Sequence, residues 1–511
     1  MKNGIFCKII FITVFSGCGF FIMPQNKPAN NLIDFYNIDS CKEAEAVIVK
    51  VGNLQVTAKE FLYGYEFGPS FIKQKKNSKK RYLDYLINEK LLAQEGFKNG
   101  LESRDIYKKY YSAVKGDLVT DELYKNEILG KVSLSEDEIS KGVNKKAISL
   151  VIKWLYTKTE NDIVNCYTAL QKGISFDSLF KKQLSDSVFA DQRSMEIDRF
   201  NLGKKNPVLA SMIDTIKPGV PSMPIHTGDG WYIIKLDNVW KSAITTETEN
   251  NKNTYDVEAV LKREKADSIS DIYVREAFRS IEPVIKKKAL LIVRSYIGKT
   301  NLDSIKYIAW GLDEKLNRIT DSLKALNITD YNSLPLVETK TGVITINSFL
   351  QWFQLRSENI NLDESSLKAF SVSLENVIWR MLRDETMLKR AYALKLDKAP
   401  DVVEQSNWWK DKIMYAIVRD EIGNSIALKG ELNLQNKQNE TRTEEFTKKL
   451  LHKIIALKQK TKIEINEELL SRIIVSQEND AKAIEVYTSK TGGYFPRQAY
   501  PSIDLYWKTW E

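Results

Sequence analysis

Histidine is almost absent: His226 and His452 are the only two in 511 residues, and they lie far apart. A histidine-rich metal centre or a histidine-based triad needs more imidazole than that, so neither is expected. Cysteine is nearly as scarce. Cys7 and Cys18 fall in an N-terminal apolar stretch, Cys41 in a polar segment and Cys166 within a helical pattern, which suggests no disulfide framework. A Cys41–Cys166 bridge stays open. No Cys/His metal spacing occurs, and neither glycine-rich phosphate loop does, so no cofactor and no metal are expected. After residue 23 no further apolar run approaches membrane length.

Charge of one dominant sign is missing too. Lys and Arg number 76 against 67 Asp and Glu, a net +9 mixed along the chain. The runs "KQKKNSKKR" (73–81) and "KKK" (286–288) read as solvated helix ends. No basic stripe interleaved with stacking aromatics accompanies them, so no nucleic-acid partner is expected. What is present is apolar: 43% hydrophobic and 10% aromatic residues are ample for packed domains. The length exceeds one core and implies about three or four domains.

The N-terminus reads as an export signal. Lys2 and Lys8 precede the uncharged run "IIFITVFSGCGFFIM" (9–23), which is short of the roughly 20 residues a membrane-spanning helix needs. Within it "FSGC" (15–18) is similar to a bacterial lipoprotein box, with Cys18 as the lipidation site, although Phe15 stands where that box usually has Leu. Simple cleavage and an uncleaved anchor remain alternatives. The mature chain is expected outside the cytoplasm, in the periplasm or as an envelope lipoprotein, water-soluble and tethered at most by one end.

Along the chain, "AVIVKVGNLQVTAKEFLYGYEF" (46–67) predicts two short strands around Gly52-Asn53, then a helix started by Thr57 and Glu60. Residues 79–101 and 104–129 predict long helices. Ser135 and Glu138 form a second capping-box start. A strand-rich stretch (147–157), helices at 159–173 and 175–187, a short element at 207–216 and the strand "DGWYIIKL" (229–236) make a compact α/β unit. On that last strand Trp231, Ile233 and Lys235 point one way and Tyr232, Ile234 and Leu236 the other. Residues 242–254 read as a linker by composition.

The chain also repeats itself. "LQVTAKEFLYGY" (54–65) lies in register with "GVITINSFLQWF" (342–353), matching Thr57 with Thr345 and Phe61 with Phe349 at a spacing of 288. "LINEKLLAQEGFKNGL" (86–101) lies over "MLRDETMLKRAYALKL" (381–396), now 295 apart.

These stretches resemble the exported parvulin-type foldases of the SurA, PrsA and PpiD kind. The segment "AVIVKVGNLQVTAKEF" with its long helix looks like the family's chaperone module. Residues 147–239, with "TEND", "IKPGVPSMPI" and "DGWYIIKLDNV", look like its parvulin domain. The resemblance implies an α+β, predominantly helical protein: leader 1–23, linker 24–42, chaperone module 43–130, parvulin-like domain 131–241, linker 242–256, helical segment 257–335, second chaperone-like repeat 336–425, and a C-terminal helical region and tail 443–511.

The family rotates X–Pro bonds, a step with a barrier of about 18–20 kcal/mol, using two facing histidines, a nearby Cys or Asp, and an apolar proline pocket. Here the resemblance puts Trp154 and Tyr232 at the histidine positions, Ser187 at the Cys/Asp position, and Lys205 and Leu209 at the pocket positions. Trp154, Lys205, Leu209 and Tyr232 are thus the expected substrate-binding residues of a degenerate site. The expected function is an envelope chaperone that binds unfolded or nascent exported polypeptides. An active peptidyl-prolyl isomerase with a rearranged site is the alternative, and a docking subunit of an envelope complex is a third reading. Tyr107, Tyr110, Tyr111, Trp352, Phe353, Trp408 and Trp409 are candidates for client-binding surface, against helix-packing core.

Overall fold

A computed structural model describes residues 32–184, 188–241, 246–426, 435–477, 486–489 and 495–510. The leader with Cys7 and Cys18, and Ser187, lie outside the described residues. The protein is α+β and predominantly helical. It divides into two compact units, one of residues 132–265 and one combining 24–131 with 266–511. Among the described residues no helix is long and apolar enough to cross a membrane.

The larger unit begins with the hairpin β1 (Val47–Val51) and β2 (Leu54–Thr57), whose turn holds Gly52 at φ +57. Then come α1 (Ala58–Glu66), α2 (Ser70–Lys73), α3 (Ser78–Lys98) and α4 (Asp105–Glu127). Thr57 caps α1 by accepting from the Glu60 amide at 3.1 Å.

The smaller unit holds α5 (Glu136–Lys146), β3 (Ile148–Thr157), α6 (Glu160–Gln171), α7 (Phe176–Gln183), β4 (Ser194–Asp198), α8 (Arg199–Lys205), α9 (Pro207–Ile213), β5 (Ile225–Thr227) and β6 (Gly230–Lys241). Its sheet runs β4-β3-β6-β5, antiparallel throughout. The short strands β4 and β5 stand in stretches for which the sequence predicts no strand. The linker expected at 242–256 is helical from residue 247, because α10 (Glu247–Ile281) starts there. Its polar first turns are held by an Asp256–Lys146 ion pair, and Val257 is buried against Gly142, where a Cβ would come within 2.4 Å.

The larger unit continues with β7 (Val284–Ile285), α11 (Lys287–Asn301), α12 (Ser304–Ala309), α13 (Leu312–Lys324), the hairpin β8 (Pro335–Thr339) and β9 (Gly342–Thr345), α14 (Ile346–Arg356), α15 (Leu367–Ala393) and α16 (Pro400–Asn424). It closes with α17 (Gln435–Lys460), β10 (Ile463–Ile465), α18 (Glu467–Arg472), and the pair β11 (Val486–Tyr487) and β12 (Phe495–Pro496).

The internal repeat is structural. Val47 pairs Thr57 and Val49 pairs Val56 across one hairpin; Pro335 pairs Thr345 and Val337 pairs Ile344 across the other, with the same irregularity in register. Thr345 caps α14 as Thr57 caps α1. Each hairpin gains a third strand, β10 on β1 and β7 on β8.

The copies are not separate bodies, because they exchange helices. α16 lies on α3 and α4, and α4 lies on α15. One core joins Phe61, Leu91 and Tyr107 to Trp408, Met414 and Tyr415. The other joins Leu118 and Leu123 to Phe349, Phe370 and Val402. Gly96 permits the α3–α16 crossing: a Cβ there would meet the Met414 sulfur at 2.5 Å. The equivalent position on α15 is the small, fully buried Ala391.

Candidate functional site

Alternation on β3 and β6 sorts their side chains onto two faces. One face carries Leu155, Ile163, Phe176, Phe180 and Ile233, with Trp231 at its margin, beneath α6 and α7. Lys235 joins this side, over the Phe176 ring and paired with Asp237 at 2.8 Å. The other face carries Leu150, Ile152, Leu202, Ile213, Ile234 and Leu236, with Trp154, Tyr232, Leu209 and Ile225 packed against them.

Trp154 and Tyr232 therefore share a face, but they are not direct cross-strand partners. Trp154 pairs Ile234, and Tyr232 pairs Tyr156. The Tyr156 and Tyr232 rings stand 5.0 Å apart at 56°. All three rings are half-buried, on a surface that solvent reaches. Gly230 makes the arrangement possible. It sits at φ +152, and a Cβ there would lie 2.6 Å from the Tyr156 ring.

Polar groups fix the rings at one end. The Tyr232 hydroxyl donates to Asp229 Oδ2 at 2.7 Å, and the Tyr156 hydroxyl donates to the Asp229 carbonyl at 2.7 Å. Thr227 donates to the other carboxylate oxygen. Burial, then the Asp229 contact, push the Tyr232 phenol far above its ordinary value. Hydrogen bonds from Thr227 and Tyr232 hold the Asp229 carboxyl below its own. At neutral pH the pair is a neutral phenol and a carboxylate, so neither is a proton carrier poised near working pH. Arg193, just before β4, lays its guanidinium 4.8 Å from the Tyr156 ring centre, and its buried Nε has no hydrogen-bond partner among the described residues. Three rings and a stacked cation make a shelf suited to apolar and aromatic side chains.

The remaining expected residues divide. Leu209 packs against the core of the same face, whereas Lys205 is exposed at the end of α8, where Leu202 is the buried residue. Lys205 is thus not a pocket wall: the helix turns it to solvent. His226 is on strand β5, exposed, with its ring 4.7 Å from Trp231 on the α6/α7 side. His452 is exposed on α17. Cys41 and Cys166 are both free thiols, which removes the bridge left open above. Among the described residues no cluster of His, Cys, Asp or Glu is able to hold a metal.

Sequence reasoning missed Tyr156, Asp229 and Arg193. Tyr156 was readable, being two residues beyond Trp154 and so on its face. Asp229 and Arg193 were not, since their contacts depend on how the turn before β6 and the start of β4 meet β3. Of the aromatics proposed as client surface in the helical unit, Tyr107, Trp352, Phe353 and Trp408 are core, and Tyr110 is exposed.

No protein-family model matches the chain, and no curated protein does. Parts of it are similar to solved structures. The peptidylprolyl isomerase PrsA from Bacillus cereus is 15% identical, with 55% of this chain and 99% of that one covered at a TM-score of 0.24. The foldase protein PrsA from Streptococcus pneumoniae is 13% identical, covering 45% and 92% at 0.23. A SurA-like chaperone from Campylobacter jejuni is 20% identical, covering 46% and 98% at 0.20. These structures are PrsA foldases and a SurA-like chaperone.

Proposed function

We propose that this protein is an extracytoplasmic chaperone of the foldase type, which holds unfolded exported polypeptides on a parvulin-like domain that no longer turns prolines. One observation carries the reading. On the face where the parvulin resemblance puts two imidazoles stand Trp154, Tyr156 and Tyr232, half-exposed, and neither of the chain's histidines is on it. Rings of this kind offer large contact area at low entropic cost and accept many sequences. The phenol of Tyr232 is committed to Asp229, which argues against its standing in for a catalytic imidazole. The Cys18 lipid anchor belongs to the same proposal and rests on "FSGC" alone.

The test is suppression of aggregation of a chemically unfolded client, alongside a protease-coupled proline-peptide assay. Holding without isomerase activity supports the reading. Isomerase activity at ordinary enzyme concentration, lost in Tyr232→Phe, would overturn it in favour of a rearranged active site.

A further inference from the structure

The C-terminal segment 497–510 runs without a helix or strand until a final 3-10 turn (Leu505–Trp510), yet most of it is half-buried and Ile503 and Trp507 are fully covered. Its bed is formed by α1, α3 and α16. Tyr500 stands edge-on to Tyr63 at 4.6 Å, with Phe67 and Trp408 around it. Trp507 is fully buried, stacked on Tyr85 at 5.2 Å and 12°. Main-chain groups are met singly and by side chains. Trp409 donates to the Ala499 carbonyl at 3.0 Å, and Glu89 accepts from both the Asp504 amide and the Trp507 indole. The bed is otherwise polar at its floor, where Glu60, Glu89, Lys90, Asp411 and Lys412 line a small cavity with Pro501 and Ser502.

This seat differs from the rest of the C-terminal region. β10 joins β1 through a backbone ladder, as part of the sheet. Among the described residues, 497–510 makes no backbone-to-backbone hydrogen bond to the helices beneath it. An extended chain gripped by aromatic slots and single main-chain contacts is how a protein binds a peptide of variable sequence. The repeat supplies an independent observation. The tail passes over Gly64, where a Cβ would lie 3.0 Å from the Pro501 carbonyl, whereas the equivalent residue of the second copy is Trp352. Only the first copy leaves room for a crossing chain.

We propose that this groove is a binding site for extended, aromatic-containing segments of client chains, and that residues 497–510 are a self-ligand that clients must displace. This rests on the chain-holding reading above and gives it a second site, outside the parvulin-like domain. A tail seated nine-tenths of the time leaves about a tenth of molecules competent, so unseating it raises client affinity about tenfold.

The experiment places a photoreactive residue in the groove of the full chain, as Tyr63→p-benzoylphenylalanine and, separately, Trp409→p-benzoylphenylalanine. Illumination alone is expected to crosslink within the chain to 495–510. With saturating reduced, carboxymethylated α-lactalbumin, the crosslink is expected to move to that client. A synthetic peptide of residues 495–511 should compete, and Tyr500→Ala/Trp507→Ala should raise client capture about tenfold. Crosslinks that stay internal while aggregation is still suppressed would overturn the groove and leave the chaperone reading intact. A chain that suppresses no aggregation at all would overturn both.

Discussion

Gly64 and Trp352 occupy the same position in two copies of one hairpin-and-helix unit, each seven residues after the threonine that caps its helix. In the first copy the missing side chain lets the Tyr82 hydroxyl and the Pro501 carbonyl come close, at 2.5 and 3.0 Å from where a Cβ would stand. In the second, the indole is itself buried core. One fold, used twice, has been opened on one side and filled on the other.

Gly64→Ala is therefore expected to push the tail from its seat. Overpacking of this kind costs about 1–3 kcal/mol, read as a lower denaturant midpoint together with a shift in tryptophan emission as Trp507 loses its stacking. An unchanged midpoint and emission would contradict the close approach.

Beneath the tail, Lys90 donates at 2.7 Å to both Glu60 and Asp411, with its side chain 4% exposed. Burial alone would lower the lysine's pKa; the two carboxylates outweigh it and keep the ammonium charged. Lys90→Met leaves two carboxylates buried without a cation and is expected to cost about 3–5 kcal/mol. Adding Glu60→Gln should return part of that loss, as a double-mutant cycle in denaturant would reveal.

The Asp229 carboxyl gives a signed pH effect. Hydrogen bonds hold its folded pKa below the ordinary 3.8. The unfolded chain therefore binds the proton more readily. The contribution is present above about pH 4 and is lost as pH falls through the lower folded value. An acid titration followed by the ring resonances of Tyr156 and Tyr232 should show the pair loosening below that pH. In Asp229→Asn the acid step should be gone.

Much of the architecture was legible in the sequence because it is local. The Ser135–Glu138 capping box forms as the residues suggest, with both reciprocal hydrogen bonds. Thr57 and Thr345 announce two helices and the repeat that contains them. The alternation of "GWYIIK" put Tyr232 and Ile234 on one face and Trp231 and Ile233 on the other, where they lie. What was not legible is pairwise and distant. An amphipathic stripe says that a helix buries a face, not whose; the α3–α16 crossing depends on distant close approaches such as Gly96 against Met414. Strand β5 is three residues long and, among the described residues, paired with β6 alone, so it carries no pattern of its own. The burial of the aromatic tail was not legible either, because it comes from a groove built by residues 63–89 and 408–419.

The central claim is that the aromatic face of the four-stranded sheet grips chains without turning prolines. Exchange NMR on a proline-containing peptide measures both at once, since unaided cis/trans interconversion takes tens of seconds or more. The expected result is broadening of the peptide's aromatic and proline resonances on adding the protein, reduced by Trp154→Ala and Tyr232→Ala, with no new cis–trans exchange. Exchange that becomes fast with catalytic amounts of protein, and disappears in Tyr232→Phe, would contradict it.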